Sequence, residues 1–135
     1  MLPQKDSRRL TAKDVLERYN EEEFPDFCNP ITDVNQVGAF GHRPLHLAAY
    51  NGNMEEIRAL VEGGAQVNVV ADMGNTPLHE AVEKGHSEAV RFLLENGART
   101  DVLNEFGRTA LDIAKLDGRS DLIDLLSRYG EHKPD

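Results

Sequence analysis

The sequence predicts an all-α solenoid, with three turn–helix–helix units of 33 residues stacked behind an N-terminal helical cap. Two observations carry that expectation. Glycines recur at a fixed step: Gly41, Gly74 and Gly107 lie 33 residues apart, as do Gly52, Gly85 and Gly118, then Gly64, Gly97 and Gly130. The apolar residues between them keep the same register in Leu45, Leu78 and Leu111; Ala48, Ala81 and Ala114; Ile57, Val90 and Ile123; and Leu60, Leu93 and Leu126. Seven columns thus hold their residue type over three copies without an insertion, which chance does not produce.

Each element follows from local chemistry. Thr11 to Glu22 reads as a helix: Thr11 and Asp14 form a capping box, and Val15, Leu16 and Tyr19 share one face. Phe24, Phe27 and Cys28 stand one period before Ile57, Leu60 and Val61, and Ile31 to Asn35 one period before the Gly64–Asn68 stretch. Residues 10–34 are therefore expected to cap the stack, with units at 35–67, 68–100 and 101–130 and mobile tails at 1–9 and 131–135. In each unit the first glycine sits in a turn, where positive φ costs glycine little. A short helix follows at about 44–51, 77–84 and 110–117. Pro44 and Pro77 suit its first turn, and Thr76 and Thr109 can cap it. Gly52, Gly85 and Gly118 end it. A second helix at about 54–62, 87–95 and 120–128 carries an i, i+3, i+4 apolar stripe, and Gly64, Gly97 and Gly130 are expected to stop it. One such pair cannot bury its apolar face alone; neighbours bury each other's.

The segment Gly74-Asn75-Thr76-Pro77-Leu78-His79-Glu80-Ala81, then Gly85-His86, then Leu93-Leu94-Glu95-Asn96-Gly97-Ala98, resembles the ankyrin repeat. Arg43 departs from the motif where Thr is usual. Ala110 and Asp112 depart where Pro and His are usual, a looser match common in a last, capping repeat. The resemblance spans about residues 32–130. It implies that His46 and His79 clip neighbouring turns through hydrogen bonds and that His86 is structural. It also implies that partners, usually proteins, are met by the turn tips and the exposed face of the first helix.

Composition narrows the function classes. The 135 residues suit one domain, and 15 Lys plus Arg against 24 Asp plus Glu give a net charge of −9. Segments 1–34, 35–67, 68–100 and 101–135 carry −3, −1, −2 and −3, so none is net basic and nucleic acid is a poor partner. An acidic surface suits a basic protein partner, although acidity also keeps a protein soluble. One cysteine excludes an intramolecular disulfide and a cysteine-rich zinc site. No stretch reaches the roughly 20 apolar residues that cross a bilayer, and Met1 to Arg9 lacks an apolar signal core. A cytoplasmic monomer that touches no membrane is expected.

No constellation for chemistry emerges. The glycines are periodic turn residues, not a phosphate loop. Cys28 lies in an apolar cap and reads as an inert thiol. Glu21-Glu22-Glu23 lacks the alternation of a calcium loop and reads as a solvated helix end. A metal or catalytic reading would require His42, His46, His79 and His86 to converge; His132 lies in the tail. No enzyme activity, cofactor or metal is expected.

Recognition at the surface is what is left. Phe40, Met73 and Phe106 share a tip column. They are flanked by a row of Ala39, Asp72 and Glu105 and by a row of His42, Asn75 and Arg108. Stacking should align them either as an apolar strip with a charged rim, which suits a partner, or as side chains folded back on the turns. Tyr50 and Asn51, Glu83 and Lys84, and Leu116 and Asp117 occupy the first-helix face. The expected partner site has Phe40, Met73, Phe106 and Tyr50 as anchors, with Glu83, Asp72, Glu105 and Arg108 setting charge preference beside His42 and Asn75. The resemblance extends to small stand-alone bacterial ankyrin proteins, some associated with toxin neutralisation, which an acidic inhibitor of a basic toxin would suit. A regulator or scaffold in a signalling or transcription complex fits the same fold.

Overall fold

The computed structural model describes residues 9–22 and 30–131. Phe24, Phe27, Cys28, Glu23 and His132 lie outside them. Among the described residues there are seven α-helices and no strand. Helix α1 (Ala12–Glu22) leads, followed by three helix pairs: α2 (Pro44–Asn51) with α3 (Met54–Glu62), α4 (Pro77–Lys84) with α5 (Ser87–Glu95), and α6 (Ala110–Leu116) with α7 (Ser120–Glu131). The inner helices α2, α4 and α6 pack in sequence, the outer helices α3, α5 and α7 pack behind them, and α1 lies on α3.

The helix ends form as the side chains dictate. Thr11 Oγ1 accepts the Asp14 amide at 3.2 Å while Asp14 accepts the Thr11 amide at 2.9 Å, closing the capping box on α1. Thr76 and Thr109 cap α4 and α6 in the same way. Pro44 and Pro77 occupy the first helical positions, and Gly52, Gly85 and Gly118 turn the chain with positive φ. The core is aliphatic, as the composition requires. Leu45, Ile57, Leu60, Leu78, Val90, Leu93, Leu122 and Leu126 are fully buried, with Ala48, Ala81 and Ala114 where the helices cross.

The cap is tied down by polar contacts as well as by Val15 and Leu16. Tyr19 Oη donates to Glu56 Oε1 and Arg18 Nη1 to Glu56 Oε2, both at 2.8 Å, so a buried carboxylate on α3 is satisfied by two groups from α1. Asn20 holds Ile31 through a pair of hydrogen bonds to its amide and carbonyl. Arg9, expected in the tail, forks onto Glu62 at 2.7 and 2.9 Å.

One expected stop is corrected. Helix α7 does not end at Gly130 but runs through it to Glu131. In the earlier units an asparagine amide seizes the terminal glycine, Asn35 Nδ2 donating to Gly64 O at 3.1 Å and Asn68 Nδ2 to Gly97 O at 3.0 Å. One period on, the residue is Asp101, whose carboxylate has no N–H to donate. No following unit draws the chain away either, and the last turn continues as helix.

Candidate functional site

The turn tips are joined by backbone. Asp72 N donates to Phe40 O at 2.9 Å and Glu105 N donates to Met73 O at 3.0 Å, so the three tips form a continuous rim. The contact is close: a Cβ on Gly41 would stand 2.6 Å from Asp72 Oδ1 and 2.8 Å from its amide nitrogen. Arg43, in place of a capping threonine, adds a side-chain link. Its Nη1 donates to Gly41 O at 3.1 Å and to Val70 O at 3.0 Å, reaching into the next unit.

The histidines sit beneath the rim. Arg43 N donates to His46 Nδ1 at 3.0 Å, which places the ring proton on Nε2, and Nε2 donates to Asn75 O at 3.0 Å. His79 repeats the pattern, receiving Thr76 N at 3.1 Å and donating to Arg108 O at 3.1 Å. Burial of both rings disfavours the charged form, taking His46 down to about 4 and lowering His79. His86 Nε2 meets Tyr50 O at 3.0 Å, another link between units. Each clip therefore uses both nitrogens of His46 and His79 within the fold. The His42 and His46 rings approach to 5.5 Å between centroids, without a metal-binding group of three or more ligands among the described residues.

The expected contact residues divide by what already holds them. Phe40, Met73 and Phe106 do not fold back: they are 68%, 48% and 64% exposed, in one row along the rim. Phe40 has φ 60° and ψ 20°, a left-handed conformation that is strained for a bulky side chain. Asp72, Glu83, Glu105 and Arg108 are exposed. Tyr50 is exposed but not alone, because Lys84 Nζ stands 4.8 Å over its ring. Asn75 is partly committed, its Oδ1 accepting from Asn104 Nδ2 at 3.0 Å. His42 is half-buried and its ring lies 6.4 Å from that of Phe40.

Below the rim at units two and three lies a cleft of about 370 Å³. Met73, Phe106, Ile113 and Leu116 supply apolar walls, and Glu83, Asp117 and Arg108 supply charge. A second cleft, at Arg9, Leu10, Ala12, Ala59 and Glu62, belongs to the seam between cap and α3, away from the rim.

Three residues were missed from the sequence. Asn104 pins the third tip by accepting from Phe106 N at 2.9 Å and Arg108 N at 3.1 Å; an Asn two residues before the apolar tip residue was the available signal. Arg43 bridges the first two units. Glu80, on the inner helix, is buried as an acid at a station where the other units carry Leu47 and Ile113. Burial raises the Glu80 carboxyl above the ordinary range; the charge of His42 opposes the shift and that of Glu83 reinforces it.

A family model for ankyrin repeats, in three copies, matches residues 15–104. Helices α6 and α7 lie beyond the matched span and are joined to it by the glycine and leucine columns. No match to a curated protein is found. No helix among the described residues is long and apolar enough to cross a membrane.

Proposed function

The chain belongs to the ankyrin-repeat family, whose repeats are protein–protein interaction modules, and from that premise we propose that it binds a protein partner through its rim and inner-helix face. Phe40, Met73 and Phe106 are the anchors, and Tyr50 extends them along the inner face. Asp72, Glu83, Glu105 and Arg108 set charge preference, beside His42 and Asn75. The observation that carries the reading is the exposed apolar row on a rim fixed by backbone bonds. Preformed apolar groups lose little freedom on docking, which is how an interface core gains affinity. The strain at Phe40 supports the same reading, because a left-handed aromatic is retained at a cost to the fold.

The partner is a basic protein, met by a monomer in the cytoplasm. Its surface complements a chain of net charge −9 and a cleft with Glu83 and Asp117 on its walls. The module acts by occupying its partner, as an inhibitor of the immunity type would. No catalytic step is part of this reading.

The test is a quantitative pull-down with the full chain and a Phe40→Ala/Phe106→Ala double variant, followed by affinity measurements at low and high salt. The double variant should lose the partner, and the wild-type complex should weaken as salt rises. Retention of every partner at unchanged affinity by the double variant overturns the rim assignment. A complex that leaves the partner active and recruits a third protein identifies an adaptor instead.

A further inference from the structure

The inner-helix face has one station out of pattern. Helices α2, α4 and α6 pack in order, and at the same position each presents Leu47, Glu80 and Ile113. An acid has replaced an aliphatic residue in the middle unit only. Glu80 is 8% exposed. Among the described residues no hydrogen bond or ion pair engages its carboxylate. The nearest influences are the charge of His42 on one side and the like charge of Glu83, one helical turn on.

Such a group is costly to the fold. A buried carboxylate without a partner loses its hydration and gains nothing in return, whereas leucine here would extend the apolar packing of its neighbours. A residue that conflicts with its surroundings marks a place where something other than stability decides its identity. Its location supplies that role. Glu80 shares a helix face with Glu83, which lines the cleft together with Met73, Phe106, Arg108 and Leu116. The cleft is thus apolar along its walls and acidic on the α4 side. A long side chain with an aliphatic stem and a cationic head matches both properties. Arginine fits better than lysine, because its guanidinium is weakly hydrated and forks onto a carboxylate in two parallel hydrogen bonds.

We propose that Glu80 is the charge-recognition point of the concave face, accepting an arginine guanidinium from a partner loop whose stem lies along Met73 and Phe106. This rests on the partner-binding reading above and names the chemical group that the surface selects. Glu83 shares the incoming charge. The free protein holds Glu80 uncompensated, so the partner's cation supplies the missing partner on binding.

The experiment uses the full chain and a random-peptide phage library as the probe. The best selected peptide is then synthesised with its arginine, and with citrulline at the same position, for calorimetry against wild type and Glu80→Gln. The expected result is an arginine beside an apolar residue in the selected sequences. Exchanging either group should weaken binding about tenfold, with little further loss when both are changed. Glu80→Leu, which copies Leu47 and Ile113, should melt no lower than wild type and should select an apolar side chain in place of arginine. Selected peptides that lack a cation, or a cycle in which the two losses simply add, overturn the assignment. Phe40→Ala/Phe106→Ala separates this from the broader reading: loss of the peptide there, with an additive Glu80 cycle, removes Glu80 and leaves the rim. Failure to select any peptide removes both.

Discussion

Acidification should loosen the stack before it touches the surface carboxylates, and His46 carries the largest share. Its ring is buried and neutral, with Nδ1 accepting the Arg43 amide and Nε2 donating to Asn75 O. Folding lowers its pKa from 6.5 to about 4, chiefly through burial. The unfolded chain therefore binds the proton more readily, and the stabilisation is complete above 6.5 and lost as pH falls towards 4. At 1.36 kcal/mol per decade the full loss is about 3 kcal/mol, of which about 2 kcal/mol has gone by about pH 5. His79 shifts in the same direction and adds to it. Glu80 has the opposite sign: its raised pKa favours the protonated fold, so the measurement belongs in a Glu80→Gln background. Asp14 and Asp112 are lowered by the threonine caps, and their contributions are lost only below the ordinary carboxylate value of 3.8. Urea unfolding followed by circular dichroism at about pH 7 and about pH 5 gives the free-energy difference. His46→Gln should cut it by about 2 kcal/mol while lowering stability at neutral pH. If His46→Gln retained the whole pH dependence, the two-sided clip would not be what holds the ring neutral.

Two further perturbations test the stack and its cap. Gly52→Ala combines a φ of +69° with a Cβ that would stand 2.5 Å from His86 Nδ1, so urea unfolding should show a loss of more than about 2 kcal/mol. Gly118→Ala, with φ +67° and nothing within 4 Å, should lose only about 1 kcal/mol. Tyr19→Phe removes the donor to buried Glu56 Oε1, and thermal unfolding should register about 1–3 kcal/mol while rim binding is unchanged.

Much of this fold is legible because its requirements are local. A glycine at each turn and helix end answers a demand for positive φ, as it does at Gly41, Gly52 and Gly64. A threonine three residues before His79 or Asp112 closes a capping box. Those demands recur with every unit, so they stand out as columns. What escaped depends on the neighbour instead. Gly130 carries the same letter as Gly64 and Gly97, but the donor that stops the helix belongs to another residue, and there it is Asp101. The left-handed turn at Phe40 is hidden by a column shared with Met73 and Phe106, which have ordinary φ. Arg43 reads as a lost cap, yet its guanidinium spans two units. The site was legible as a row, since the step of 33 residues predicts alignment, while its exposure required the packed tips.

The stack also explains why recognition can change without refolding. Stability in a solenoid is approximately a sum of unit terms and contacts between neighbours. The columns that supply those contacts face inward or clip one rim carbonyl to the next, as Leu78, Ala81 and His79 do. The columns along the inner face vary from unit to unit: Tyr50, Glu83 and Leu116 share one station, and Asn51, Lys84 and Asp117 another. Most such changes leave the neighbour terms untouched, because the side chains end in solvent. Glu80 does not end there, and its charge sits among packed aliphatic residues. A station that could have joined the core in all three units instead carries an unpaired acid in one. Within a sum of nearest-neighbour terms that is a local loss, with no distant residue positioned to offset it. The compensation must then come from outside the chain, which is why the acid is assigned to the partner and not to the fold.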